Sequence, residues 1–155
     1  MDAVRLILAS RRALAGSGEA PAILAEVWQA QALSQAIGSR LAVSGPPELR
    51  GEALGLTELA GRGCGVLDAP DLDPGDLLAA QLTELDDAHH ALLCLHALLG
   101  EVGIALLGIA STAGDTTYWQ CMEAIDAADE SRDRVREMLR KLAARDEALP
   151  EAELG

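Results

Sequence analysis

The chain has 155 residues, of which 50% are hydrophobic, and its net charge is -13 at pH 7. It contains 29 alanines and 27 leucines, but only six valines, six isoleucines, two tryptophans, one tyrosine and no phenylalanine. Alanine and leucine favour helices, whereas strands are rich in β-branched and aromatic residues. The composition therefore excludes a β-sandwich or barrel and predicts an all-α fold.

The charge is unevenly distributed along the chain. Residues 1–70 hold 7 acidic and 6 basic side chains, whereas residues 71–155 hold 18 acidic and 6 basic side chains. Nucleic acids and anionic membranes attract clustered lysine and arginine, so we expect neither as a partner. The three cysteines form no Cys-x-x-Cys pair, and arginines interrupt the apolar residues 1–14. Both features favour a cytoplasmic protein without a disulfide framework or signal peptide.

Breaker residues divide the chain into five predicted helices. Their approximate ranges are 2–15, 21–43, 48–67, 74–112 and 116–145. Asp2 and Asp73 are expected to cap the first and fourth helices, with Pro74 in the first turn of the latter. Short connections between apolar helices are typical of an antiparallel bundle. We predict a single domain, residues 1–147, with two long helices and a disordered acidic tail, residues 148–155.

The predicted fourth helix contains a heptad-like series of mostly apolar residues with alternating steps of four and three. The series comprises Leu78, Leu82, Leu85, His89, Leu92, His96, Leu99, Gly103 and Leu106. Residues 91–113 are long and apolar enough to span a bilayer, but they contain His96 and Glu101 and lack a flanking basic cluster. We therefore expect a helix buried on all sides of a bundle, with a possible break near Gly100.

All three histidines lie on this helix, close to carboxylates and a thiol. Asp86, His89, His90, Cys94 and His96 form a polar cluster whose i,i+3 carboxylate–histidine spacing resembles that of bundle metal sites. One helix cannot complete a coordination shell, so we assign no metal, cofactor or catalytic residue and interpret His89 and His96 as polar members of the apolar series. If both imidazoles are buried, acidification from about pH 7 to 5 should weaken the assembly.

A second candidate surface is a predicted protein interface. Trp28, Gln31 and Gln35 form a face of the second helix distinct from its main apolar face, and Trp119 begins the fifth helix. Tryptophan is enriched at the centres of protein interfaces, although a position at the edge of the core fits this pattern equally well.

The segments Met1-Asp2-Ala3-Val4-Arg5-Leu6-Ile7 and Ser44-Gly45-Pro46-Pro47-Glu48-Leu49-Arg50-Gly51-Glu52 resemble an uncharacterised family of small helical proteins from high-GC Gram-positive bacteria. The eleven arginines against one lysine fit such a genome. The resemblance implies a cytoplasmic bacterial protein and transfers no activity or site residue.

These observations favour a non-enzymatic bundle that acts as a protein–protein interaction or scaffolding module. We expect a homodimer, because helix faces rich in small residues suit self-association, and a further protein partner is possible in principle. The alternative is a small-molecule or metal-binding bundle, with or without enzymatic activity, whose pocket surrounds the histidines.

Overall fold

Five α-helices build the protein, as the composition predicts. The computed structural model describes residues 1–154, with side chains described as far as residue 146. The helices are α1 (Ala3–Gly16), α2 (Ala20–Ser44), α3 (Arg50–Gly65), α4 (Ala88–Ala110) and α5 (Asp115–Leu154). The all-α bundle is thus confirmed. The backbone of residues 148–154 continues α5, where we predicted a separate tail. The side chains of this segment lie outside the described ones, and its disorder stays a prediction.

Local sequence signals explain where three of the helices begin. The Asp2 carboxylate accepts a hydrogen bond from the Val4 amide at 3.0 Å and caps α1, as predicted. Pro21 lies in the first turn of α2, where its missing N–H costs nothing. Asp87 caps α4 by accepting from the His90 amide at 3.0 Å. Sequence-local chemistry therefore fixes these three helix starts.

Helices α2, α3, α5 and α4 form a ring in which each packs on the next, and α1 fills the corner between α2 and α4. Ion pairs fix the directions of the helices. Glu48 meets Arg145 and Arg62 meets Glu130, so α3 and α5 are antiparallel. The Ala3 amide bonds the Glu84 carbonyl just before α4, and Arg11 meets Glu101 further along, so α1 runs parallel to α4. The core consists mainly of buried leucines and alanines.

The predicted start of the fourth helix is wrong, because residues 66–87 do not form an α-helix. They contain only two 3-10 turns, at Pro74–Asp76 and Leu78–Gln81, and Asp73 makes no capping hydrogen bond with its side chain. Since α3 and α4 run in the same direction, the segment between them must return along the bundle. An extended chain covers about twice the distance per residue that a helix does, which suits this crossover.

Side chains of α2 and the chain terminus hold the crossover in place. The side-chain amide of Gln29 forms two hydrogen bonds to it. The amide nitrogen donates to the Asp76 carbonyl at 2.8 Å, and the amide oxygen accepts from the Leu78 backbone N–H at 3.1 Å. Arg40 donates to the Thr83 carbonyl at 2.6 Å, and the Met1 ammonium donates to the Gln81 carbonyl at 2.6 Å. Tertiary hydrogen bonds thus replace the helical bonds that the leucine spacing predicted.

Candidate functional site

One surface of α4 is apolar, exposed and almost without charge. The α4 face comprises Leu93, Ala97, Gly100, Ile104, Leu107 and Ser111, which follow each other at steps of four and three. Ile104 is 75% exposed, Leu107 60% and Leu93 48%. The opposite side of the same helix is buried. The expectation that this helix is buried on all sides is therefore wrong, and the exposed face calls for an explanation.

Glu101, at the border of this face, is the only aspartate, glutamate, lysine or arginine of α4. Its carboxylate accepts from Arg11 at 2.6 Å, so α1 neutralises it. A shallow, mostly apolar cavity of about 280 Å³ adjoins Glu101, and its other lining residues are Leu14 and Ala15 of α1 and Ile104 and Ala105 of α4. The uncharged surface therefore continues from α4 onto the end of α1.

Aromatic side chains lie at the same end of the bundle, at the start of α5. Trp119 is 64% exposed and Tyr118 38%. Their rings stack edge to face, with centroids 5.3 Å apart. A tight turn at residues 111–114 connects them to the end of the α4 face. The predicted interface residue Trp119 thus lies on the surface, near exposed apolar groups.

The structure separates the five residues of the predicted polar cluster. His89 and His90 are exposed in the first turn of α4, and Asp86 is exposed just before it. Cys94 is half-buried against the core. Only His96 has a buried ring nitrogen, and its Nε2 has no hydrogen-bond partner. The interpretation of His89 as a buried member of the apolar series is therefore wrong, because α4 begins there and leaves it in solvent.

His96 lies where α4 meets the arginines of α5. Burial lowers the pKa of the His96 imidazole below its ordinary value of 6.5, and the positive charges of Arg132 and Arg136 lower it further. The unfolded chain therefore binds this proton more readily than the folded chain. The contribution of His96 to the free energy of unfolding is therefore fully present above pH 6.5, and it is lost as the pH falls from 6.5 through the lower pKa of the folded state.

We predict that His96→Gln reduces the pH dependence of unfolding between pH 7.5 and 5. The free energy of unfolding, measured by urea titration at several pH values, should fall less on acidification in His96→Gln than in the wild type. His89→Gln, at an exposed position two helical turns earlier, is the control and should follow the wild type. Parallel pH profiles for wild type and His96→Gln would contradict the prediction.

Asp86 and His89 line a different feature, a cavity of about 300 Å³ at the other end of the bundle. Arg40 and Arg145 contribute positive charge there, and Asp146 contributes a second carboxylate. Each arginine is already bonded, Arg40 to the Thr83 carbonyl and Arg145 to Glu48. His90, Cys94 and His96 do not line this cavity, so the predicted pocket around all three histidines does not form.

Metal ligands do not converge in the described part of the chain. Among residues 1–146, no group of three or more histidine, cysteine, aspartate or glutamate side chains is placed to hold a metal ion. The i,i+3 spacing of Asp86 and His89 thus acquires no further ligands from neighbouring helices.

The predicted interface residues on α2 divide between the interior and the surface. Gln31 is fully buried against α3, and a Cβ built on Gly63 would lie 2.8 Å from its Cδ. Trp28 is half-buried against the core, and its carbonyl accepts from the Cys64 thiol at 3.6 Å. Gln35 is exposed beside Gly61. The placement of Gln31 on an external face is therefore corrected, since this residue packs between two helices of its own chain.

Helix α4 also fits a bilayer by length and composition. Among the described residues, Ala88–Ala110 is the one helix long and apolar enough to cross a membrane. A core helix passes the same test, and α4 contributes Leu92, Leu95, Leu99 and Leu106 to the core with no exposed surface. The expectation that the protein does not bind membranes stays a prediction.

Fold and surface together define a five-helix bundle that exposes one uncharged helix face. The chain belongs to a family of unknown function, DUF6099, whose sequence model matches residues 1–141. This agrees with the predicted resemblance to an uncharacterised family. The comparisons with curated proteins and with solved structures give no match.

Proposed function

We propose that this protein is a non-enzymatic interaction module that self-associates through the α4 face. The observation that carries the proposal is the exposure of Ile104 and Leu107, 75% and 60%, on a helix whose single charge is neutralised by α1. Burying apolar surface contributes about 25 cal/mol per Å² to the free energy of association. Contiguous apolar patches on a protein surface therefore mark interaction sites.

A second copy of the chain fits this face better than a charged partner does. The face has no charge that would attract a basic or acidic partner, and a net charge of -13 disfavours an anionic bilayer. Ala97 is small, so another helix can approach closely at its position. A two-fold axis brings identical apolar surfaces together without requiring a complementary partner. A cytoplasmic dimer is therefore our working assignment.

Substituting the centre of the face tests the proposal. We expect Ile104→Asp to weaken self-association at least tenfold, because dimerisation would bury a carboxylate without a partner. The matched control is Val43→Asp, which places the same charge at an exposed apolar position, 88% exposed, at the end of α2. Light scattering with size-exclusion chromatography and sedimentation equilibrium give the dissociation constants.

We expect the wild type and Val43→Asp to be dimers and Ile104→Asp to be a monomer. The circular dichroism signal of the helices should be unchanged in Ile104→Asp. A wild-type chain that stays monomeric up to about 1 mM, the weak end of specific affinities, contradicts the proposal. Co-flotation of the wild type with vesicles, lost in Ile104→Asp, would instead assign the face to a membrane.

The cavity beside His89 supports a second candidate, a small-molecule site. Its 300 Å³ volume lies at the lower limit of ligand pockets, and Arg40, Arg145 and Asp86 would orient a polar ligand. Arg40→Ala should then remove ligand-induced thermal stabilisation in a metabolite screen, whereas Ile104→Asp should retain it.

A further inference from the structure

Arg132 differs from the other basic residues of α5. Five basic side chains of this helix each lie within 4 Å of a carboxylate: Arg134, Arg136, Arg140, Lys141 and Arg145. Arg132 has no such carboxylate among the described residues, and its Nε is buried without a hydrogen-bond partner. An unpaired, partly desolvated guanidinium is costly in an isolated chain, particularly in one with excess acid.

The position of this guanidinium connects it to the α4 face. A Cβ built on Gly100 would lie 3.4 Å from Arg132 Cζ, so the arginine lies directly against the edge of the face. One turn away on α5 is Asp129, whose Oδ1 would lie 3.9 Å from a Cβ on Gly103. Asp129 is exposed and forms no ion pair with the described residues. An unpaired positive group and an unpaired negative group thus follow each other along one edge.

This arrangement is self-complementary under one specific symmetry. A two-fold axis perpendicular to α4, passing between the levels of Gly100 and Gly103, brings Arg132 of each chain opposite Asp129 of the other. Building on the proposed self-association, we propose that two copies dock with their α4 helices antiparallel and form two reciprocal Arg132–Asp129 ion pairs. Each pair would supply the carboxylate that the Arg132 guanidinium lacks.

The alternative symmetry is electrostatically poorer for Arg132. With parallel α4 helices, the edge formed by α5 would face the α1 edge of the second copy. Arg11 lies at the matching height there, and it is already paired with Glu101. Arg132 would then meet a carboxylate that already has a partner and would gain no free one. The antiparallel arrangement also places Leu93 of one copy near Leu107 of the other, so both halves of the face are covered.

Charge reversal distinguishes this arrangement from self-association in general. We expect Arg132→Asp and Asp129→Arg each to raise the dimer dissociation constant at least tenfold, because each juxtaposes like charges twice. Mixing the two single variants should restore dimers, since both contacts become attractive in the heterodimer. The double variant should dimerise within about threefold of the wild type. The control is the same exchange at Arg62 and Glu130, which pair within one chain at 2.6 Å on the side of α5 that faces α3; it should leave dimerisation unchanged.

Dissociation constants come from sedimentation equilibrium, and the heterodimer from native mass spectrometry of the mixture. If circular dichroism shows that a single variant does not fold, the dissociation constant of the double variant still tests the antiparallel pairing. If Ile104→Asp dissociates the wild-type dimer but none of the charge reversals changes its dissociation constant, the antiparallel pairing is overturned and the proposed function stands. Single variants that dissociate and are rescued neither by mixing nor by the double exchange also overturn it. A monomeric wild type removes both proposals.

Discussion

Gly38→Ala is expected to destabilise the protein by about 2–3 kcal/mol, the usual cost of overpacking a core. Gly38 is buried where α2 crosses α3. A Cβ there would lie 2.6 Å from Thr57 Oγ1, 3.0 Å from the Ala53 carbonyl oxygen and 3.1 Å from the Thr57 nitrogen. The last two atoms belong to the backbone of α3, so relief requires the two helices to move apart.

Gly51→Ala is the matched control, because it makes the same chemical change at the exposed start of α3. No atom lies within 4 Å of a Cβ at that position, and no glycine among the described residues has a positive φ. Alanine should therefore stabilise α3 by up to about 1 kcal/mol. Urea unfolding measures both variants. A Gly38→Ala protein as stable as Gly51→Ala would show that α2 and α3 do not pack as closely as described.

Two substitutions of Gln31 are expected to change the free energy of unfolding strongly and in opposite directions. Its side chain is 0% exposed, and neither Nε2 nor Oε1 has a hydrogen-bond partner in the protein. Gln31→Met keeps the volume and removes the unpaired amide, so we expect a gain of about 1–2 kcal/mol. Gln31→Glu adds a buried charge and should cost about 3 kcal/mol or more at pH 7.

Gln35, exposed one turn later on the same helix, supplies the control. Gln35→Met and Gln35→Glu should each change the free energy of unfolding by less than about 0.5 kcal/mol, as surface substitutions do. Thermal and urea unfolding of all four variants measure the effects. A destabilised Gln31→Met would contradict the prediction and show that the buried amide is paired by a bound water or ligand.

The polar residues illustrate what helical periodicity cannot predict. Gln29 and Gln31 are two positions apart on α2, and both are buried. Gln29 holds the crossover by two hydrogen bonds, whereas Gln31 faces Gly63 without a partner. The helical pattern of α2 gives no role to Gln29 and predicts Gln31 at the surface. The crossover that Gln29 holds exists only because α3 and α4 run in the same direction, which the pattern does not reveal.

The exposed face of α4 shows the same limit. Two series of apolar residues with alternating steps of four and three run along this helix, one through Leu92, Leu99 and Leu106 and the other through Leu93, Ile104 and Leu107. Periodicity identifies both as helical, but it does not say which one has a neighbour. The first series lies in the core and the second faces solvent, since α1, α2 and α5 pack against α4 on one side only.

Composition and breaker residues alone determined the helical class, the number of helices, the cap at Asp2 and the start of α2 near Pro21. These features depend on backbone entropy and on hydrogen bonds within a few residues, and such interactions are encoded locally. Only the tertiary structure decided that residues 66–87 are extended, that His89 is in solvent and that one apolar face is uncovered. Those outcomes depend on helix direction and packing, because distant segments compete for the same backbone groups and the same apolar surface.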